Sequence, residues 1–83
     1  MATKAQHWPD YGRLPAFLRT LREERELTQR ELGKRLKRPQ SWVYNSETGN
    51  RRVDVTEFIA WARACDTDAK EAFSRFLKLI RPE

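Results

Sequence analysis

The stretch Thr28–Gly49, TQRELGKRLKRPQSWVYNSETG, decides the fold, because it contains the start and stop signals of two short helices. Thr28 is followed three positions later by Glu31, a capping box in which each side chain binds the other residue's backbone N–H. Pro39 disfavours helical geometry at the residue before it, so the first helix ends there. A second helix is expected to follow and to end at Gly49, where a left-handed conformation costs least.

These two helices are expected to pack closely around a tight turn. Leu32 and Leu36 lie one turn apart on one face of the first helix, and we expect both to point inward. Gly33 has no side chain, which lets the second helix approach closely. Two helices of about two turns each, joined by a turn of three or four residues, fit a helix-turn-helix.

The order and spacing of these residues resemble the DNA-binding domain of phage repressors and Cro, shared by many small XRE-like bacterial regulators. No single piece is specific, but together they form a strong signal that extends from about residue 14 to residue 77. The resemblance implies an all-α fold, a compact five-helix domain of the lambda-repressor-like type. The matching pieces are Thr28-Gln29, Glu31-Leu32, Leu36, Pro39-Gln40-Ser41, Val43, Glu47-x-Gly49 and the block RRVDVTEF from Arg51.

Length and composition set the remaining bounds. A chain of 83 residues forms one domain, which we place at residues 13–83, with the helix-turn-helix at about residues 28–47 and an N-terminal arm at residues 1–12. The net charge of +5 suits a polyanionic partner without identifying one.

Cys65 is the only cysteine, so no disulfide is expected, as in a reducing cytoplasm. The longest apolar run, residues 58–62, is too short to cross a bilayer, and residues 1–10 lack the apolar core of a signal peptide. We therefore expect a cytoplasmic, nucleoid-associated protein without a membrane partner.

Three further helices are predicted, which makes five helices and no strand. The first begins near Arg13 and has Pro15 in its first turn, where a missing N–H costs nothing. Its apolar residues follow the spacing i, i+3, i+4, i+7 and are Leu14, Phe17, Leu18 and Leu21. The resemblance implies that Arg22 on this helix pairs with Glu47 near the end of the second motif helix.

The last two helices each open with a predicted capping box, Asp54 with Glu57 and Asp68 with Glu71. The fourth helix should span roughly residues 55–65, with Trp61 on a flank or in an interface. Its predicted buried stripe comprises Val55, Phe58, Ile59 and Ala62. The apolar stripe of the fifth helix comprises Ala72, Phe73, Phe76, Leu77 and Ile80.

The N-terminal arm has two interpretations. Trp8 and Tyr11 flank a turn signal and are expected to cover part of the core. Alternatively, the arm reaches along a duplex, where Lys4 and Arg13 contact phosphates.

Base readers are expected at the start of the second motif helix, because a helix of this width fits the major groove and its N-terminal residues reach base edges. The Gln40 amide can accept from N6 of adenine and donate to N7, which is a bidentate match. Ser41 can bind either base type, and one turn further on Tyr44 and Asn45 lie on the same exposed face. The resemblance supports Gln40, Ser41 and Asn45 in particular.

Phosphate contacts are expected from neighbouring residues. Gln29 opens the first motif helix, where free N–H groups favour an anion; in the resembled family this glutamine holds a phosphate and braces the first reader. Arg38, Arg51 and Arg52 flank the second motif helix and would straddle the backbone. Trp42 is either partial core or a direct indole-to-phosphate donor.

Two positions depart from the family pattern. Position 46 usually carries a large apolar residue, and here it is Ser46, whose buried hydroxyl needs a partner such as a backbone carbonyl one turn back. The turn position that usually holds glycine is Lys37, which would be mildly strained at positive φ.

The pattern as a whole predicts a sequence-specific double-stranded DNA-binding regulator, a repressor that binds a palindromic operator as a homodimer. The candidate dimer interface is Phe73, Phe76, Leu77 and Ile80, although this stripe would equally close the monomer's own core. The alternative function is an antitoxin or adaptor module whose main partner is a protein such as a toxin, with autoregulatory DNA binding secondary. We expect no enzyme, metal or cofactor, because His7 is the only histidine and no Gly-rich phosphate loop or nucleophile–base pair is present.

Overall fold

Five α-helices, preceded by a short 3₁₀ turn, make up the part of the chain that a computed structural model describes, residues 9–80. Lys4, His7 and Trp8, and with them most of the predicted arm, lie outside the described residues. The all-α prediction is confirmed. The turn covers Tyr11–Arg13, and the helices are α1 (Leu14–Glu24), α2 (Gln29–Leu36), α3 (Gln40–Thr48), α4 (Val55–Ala64) and α5 (Ala69–Leu79).

The core forms where α3 packs against α1 and α2, and where α4 packs against α2 and α5. Both predicted inward positions of α2 point towards it, with Leu32 fully buried and Leu36 partly buried. The amphipathic pattern of α1 is confirmed as well. The buried apolar residues are Leu14, Phe17, Leu18, Leu21, Leu32, Val43, Val53, Phe58, Trp61, Ala62, Cys65 and Ala72.

The buried face of α4 differs from the predicted one. Trp61, predicted on a flank or in an interface, is fully buried, and its indole N–H donates to the backbone oxygen of Leu18 at 3.0 Å. Val55, predicted to be buried, is 66% exposed. Spacing i, i+3, i+4, i+7 fits a stripe that starts at Val55 as well as one that starts at Phe58 and runs to Cys65. The helix uses the second stripe because it buries the large indole and satisfies its N–H.

Two of the three predicted capping boxes form. Thr28 Oγ1 accepts from the Glu31 N–H at 3.0 Å, and the Glu31 carboxylate accepts from the Thr28 N–H at 2.8 Å. Asp54 and Glu57 exchange the same two bonds at 2.8 and 3.0 Å. The third prediction was wrong: Asp68 is the N-cap residue of α5, but its side chain makes no capping bond. Its ψ is 128°, against 164° and 176° at the two formed boxes.

The turn between α2 and α3 has the tight geometry that the sequence predicts. Lys37 adopts the left-handed conformation at φ 58°, and the Arg38 N–H donates to the Gly33 carbonyl at 2.8 Å. A Cβ on Gly33 would lie only 2.7 Å from the Arg38 backbone oxygen. The missing side chain at position 33 therefore sets how closely α3 begins beside α2, and Gly49 ends α3 in the left-handed region at φ 82°.

Tyr11 ties the N-terminal turn to the loop between α3 and α4. Its phenol oxygen accepts from the Val53 N–H at 2.9 Å, and its hydroxyl donates to the Arg51 backbone oxygen at 3.4 Å. The ring is partly buried against the core, as one of the two interpretations of the arm predicts for this residue.

Candidate nucleic-acid interface

A buried ion pair holds the last turn of α3 to α1. The Arg22 Nε and Nη2 atoms donate to the two Glu47 carboxylate oxygens at 2.6 and 2.9 Å, and Nη1 donates to the Leu27 backbone oxygen at 2.8 Å. Both residues are 8% exposed. The hydrogen bonds that Arg22 donates to Glu47 are the main reason that the pKa of Arg22 is raised above its ordinary value. The pair implied by the resemblance is confirmed, and it fixes the far end of α3 against the core.

The same carboxylate continues into a chain of amides that reaches the surface. Gln29 Nε2 donates to Glu47 Oε1 at 3.0 Å, and Gln40 Nε2 donates to Gln29 Oε1 at 2.8 Å. Gln29 and Gln40 are the first residues of α2 and α3, respectively. The first residue of the candidate recognition helix is thus braced by the first residue of the helix before it.

The predicted base-reading residues lie at one surface of α3. Gln40 and Ser41 are exposed, and Tyr44 is 49% exposed. Asn45 is partly buried, and its side-chain oxygen accepts from Asn50 Nδ2 at 3.4 Å. Its backbone oxygen also accepts from the N–H groups of residues 49–51, which close the end of the helix. Three of the four predicted readers are therefore open to a ligand, and the fourth also helps to end the helix.

Trp42 supports two of the predicted phosphate-binding arginines. Its ring is partly buried and lies 6.1 Å from the ring of Trp61. The guanidinium carbon of Arg51 lies 4.3 Å from the Trp42 ring centroid, and that of Arg38 lies 5.4 Å away. Such cation–π contacts restrict the orientation of both side chains.

The three flanking arginines differ in how free they are. Arg51 is partly buried, and its guanidinium donates to Glu57 at 3.0 Å and to the Ser46 hydroxyl at 3.3 Å. Arg38 and Arg52 are exposed, and Arg52 lies 5.1 Å from the ring centroid of Tyr11. Arg51 therefore joins α3 to α4, whereas the other two extend towards solvent.

The unusual Ser46 fits without an unpaired hydroxyl. The side chain is fully buried, and its Oγ donates to the Trp42 backbone oxygen at 2.8 Å, one turn earlier in the helix. This is the arrangement that the sequence offered as one solution. α3 therefore accommodates a buried polar residue at this position without an unpaired hydroxyl.

A polar groove beside the amide chain contains residues that sequence reasoning missed. It includes Arg19 of α1, which pairs with Glu23 at 2.9 Å, and Arg30, which is exposed on α2. The position of Arg30 directly after Gln29, in the first turn of α2, was the available signal. The groove is lined by Arg19, Arg22, Glu23, Thr28, Gln29, Arg30 and Gln40.

The predicted dimer stripe divides in two. Phe76 packs on the monomer's own core, with its ring centroid 5.6 Å from that of Phe17. Phe73 and Leu77 are 47% and 48% exposed, and Ile80 is partly buried. We use the term α5 face for the exposed apolar residues Phe73 and Leu77, which lie one turn apart on α5, together with the neighbouring Val55 of α4.

Residues 9–80 bring together no cluster of three or more His, Cys, Asp or Glu side chains that would suit a metal ion. Within the same range, none of the helices combines the length and apolar character needed to span a membrane. Cys65 is fully buried, and burial raises the pKa of its thiol to about 11, so it stays protonated at neutral pH.

Comparison with known proteins agrees with this geometry. Residues 13–79 match the family model of a helix-turn-helix domain. An XRE-family like protein from Pseudomonas syringae pv. tomato str. DC3000 is 36% identical, with a TM-score of 0.78 over 87% of this chain and 88% of that chain. The structure of the clp gene regulator ClgR from C. glutamicum shares the fold at 18% identity, with a TM-score of 0.72 over 84% of this chain and 91% of that one. No curated protein matches the chain. The chain belongs to the XRE-like family of helix-turn-helix domains, which are DNA-binding transcriptional regulators.

Proposed function

We propose that this protein is a sequence-specific repressor that binds a palindromic operator as a dimer, in the cytoplasm and on the nucleoid. The observation that carries the proposal is the exposed Gln40 amide, held by Gln29 at 2.8 Å at the start of α3. A base-reading side chain binds more tightly when its orientation is fixed before binding, because less conformational entropy is lost.

Base reading is assigned to the exposed start of α3. The Gln40 amide offers one donor and one acceptor, the pair that matches adenine in the major groove. Ser41 and Tyr44 lie beside it and are exposed, so they contact neighbouring bases or the thymine methyl group. Asn45 contributes through its remaining amide hydrogens, since its oxygen already accepts from Asn50.

Phosphate binding is assigned to both flanks of α3. On one flank, Gln29 and the first N–H groups of α2 face the groove that Arg30 also lines. On the other flank, Arg38 and Arg52 are exposed, and we assign them to phosphates of the DNA backbone. Trp42 orients Arg38, and Arg51 contributes mainly by holding α3 to α4.

Dimerisation is assigned to the α5 face. Two symmetric half-sites one helical turn apart, about 34 Å, require two recognition helices related by a two-fold axis. Phe73 and Leu77 supply apolar area for such a contact, with Ile80 at its edge, while Phe76 supports them from the core side. Occupation of an operator by a dimer blocks transcription without any further activity, and we therefore propose repression.

A binding selection from random duplex DNA tests this function. The native chain should select a two-fold symmetric site. Gln40→Ala should lose the preference at one position in each half-site, about 1–3 kcal/mol of discrimination. Arg52→Ala should weaken binding to all sequences. It should also reduce the slope of log K against log[salt] by about one, because one phosphate contact fewer is made. Lys78→Ala on α5 removes the same charge and should change neither property. Native protein that selects no sequence contradicts the proposal.

The α5 face also favours a second candidate, an antitoxin or adaptor whose main partner is a protein. Exposed apolar rings such as Phe73 mark interaction surfaces. Trp61, which was predicted on a flank or in an interface, is fully buried and takes no part in this surface. Sedimentation distinguishes the candidates: the repressor is a dimer by itself, whereas an adaptor is monomeric until its partner is added.

A further inference from the structure

We propose that Glu47 fixes the orientation of the Gln29 amide, so that the Gln29 oxygen faces position 40. The side chain at position 40 must then donate a hydrogen bond to Gln29, which restricts the residues that can read a base there. Glu47 is a positioning residue in this inference, because it contacts no base. The part that concerns base choice rests on the proposed function. The part that concerns amide orientation does not require DNA.

The first step is the chemistry of the carboxylate. An ionised carboxylate accepts hydrogen bonds and cannot donate them. Both Glu47 oxygens are held by Arg22, at 2.6 and 2.9 Å, so the group is charged and cannot rotate. The Gln29 amide that faces it at 3.0 Å must therefore present its nitrogen, Nε2.

The second step carries this orientation outward. With its nitrogen on Glu47, Gln29 directs its oxygen towards position 40, where Gln40 Nε2 donates to it at 2.8 Å. A rotation of the Gln29 amide by 180° would place its oxygen against a carboxylate oxygen that already accepts from Arg22. Two facing acceptors lose a hydrogen bond and repel one another, so this orientation is disfavoured.

The third step concerns what remains for a base. Gln40 uses one N–H on Gln29, which leaves one N–H and its oxygen directed outward, the pair that adenine requires. Any residue at position 40 must likewise meet an acceptor at Gln29. Glutamine and lysine satisfy that condition because they donate, whereas glutamate, which would read cytosine, does not.

A titration without DNA tests the orientation. The carboxyl introduced by Gln40→Glu is titrated by NMR with Gln29 present and again with Gln29→Met. If Glu47 fixes Gln29 with its oxygen outward, the introduced carboxyl has the higher pKa when Gln29 is present, because a facing oxygen disfavours the charged form. If Gln29 turns freely, its N–H₂ group binds the introduced carboxylate and lowers that pKa. An equal or lower pKa with Gln29 present overturns the inference.

Two choices keep this measurement interpretable. The variants leave the Arg22–Glu47 pair intact and change residues that are exposed or partly buried, so the fold is retained. The two backgrounds also carry the same net charge. Ser74→Met adds the same side chain to an exposed position of α5 and should leave the pKa of the introduced carboxyl unchanged.

Selection from a duplex library with a random core tests the consequence for DNA. Gln40→Lys should select guanine where the native chain selects adenine, with about 5- to 150-fold discrimination. Gln40→Glu should show no cytosine preference with Gln29 present and should gain one with Gln29→Met. Equal cytosine preference in both backgrounds overturns the inference. A native chain that selects no sequence contradicts the proposed function instead, and the titration still decides the orientation of Gln29.

Discussion

The start of α3 and the α5 face are built in opposite ways. At the start of α3, the exposed Gln40 donates to Gln29, which donates to Glu47, and Glu47 accepts from the buried Arg22. On the α5 face, Phe73 and Leu77 are about half exposed, and they present apolar area with no polar partner. Directional bonds fix a geometry, whereas apolar area gives attraction without fixing direction. The fixed polar geometry at α3 therefore suits the proposed base reading, and the apolar area of the α5 face suits the proposed dimer contact.

The largest expected effect comes from removing one partner of the buried ion pair between Arg22 and Glu47. Glu47→Ala leaves the Arg22 guanidinium buried without its carboxylate and should lower the free energy of unfolding by about 3–5 kcal/mol. Chemical denaturation followed by circular dichroism measures the change. Arg19→Ala removes an exposed pair with Glu23, whose side chains are more than half exposed, and should cost less than about 1 kcal/mol. Equal losses in the two variants would show that the buried pair is not special.

The next effect separates the two sides of α5. Phe76→Ala removes a partly buried ring that contacts Phe17 and should lower the free energy of unfolding by about 2–4 kcal/mol. Leu77→Ala removes a side chain that is 48% exposed and should cost the monomer less than about 1 kcal/mol.

Sedimentation sharpens the same comparison. Leu77→Glu should leave the melting of the monomer almost unchanged while it abolishes self-association, because a charge cannot be buried in an apolar contact. Dimers that persist in this variant would exclude the α5 face as the interface.

A smaller effect distinguishes the N-terminal caps of α2 and α5. Thr28→Ala removes a formed capping bond at α2 and should destabilise the protein by about 1 kcal/mol. Asp68→Ala removes an N-cap side chain that makes no such bond at α5 and should cost less than about 0.5 kcal/mol. Thermal melting of the two variants decides the order, and a larger loss at position 68 would contradict it.

The smallest effect is the response of the two formed capping boxes to acid. Backbone N–H donation lowers the pKa of Glu31 and Asp54 in the folded protein. A carboxyl with a lowered folded pKa contributes stability above its unfolded pKa and loses that contribution as the pH falls through the folded value. Stability should therefore fall below about pH 4. Glu31→Gln should flatten part of this slope in acid denaturation, and an unchanged slope would contradict the assignment.

The local features of the helix-turn-helix could be predicted from sequence far better than the buried face of α4. The capping box at Thr28 and the stop at Gly49 are local signals, since each depends on a few neighbouring residues, whereas the left-handed Lys37 was indicated by the family pattern. The pair between Arg22 and Glu47 joins residues far apart in the chain, and only the family resemblance indicated it.

The failures on α4 and α5 have physical causes. Periodicity allowed two stripes on α4, and burial of Trp61 rather than Val55 depended on the Leu18 carbonyl of α1, which no local pattern specifies. Asp68 has the correct residue type and spacing for a cap, but its ψ differs from that of the two formed caps and its side chain makes no capping bond. The link from Gln29 to Glu47 likewise appears only once α2 and α3 are placed together.

Tyr11 bears on where this domain starts. The family match begins at residue 13, yet the phenol two residues earlier supplies the Val53 N–H with its acceptor and lies beneath Arg52. A fragment trimmed to the family boundary would leave that amide without its partner and would free the segment that leads into α4. The contacts that order this loop therefore begin at least two residues before the family match does.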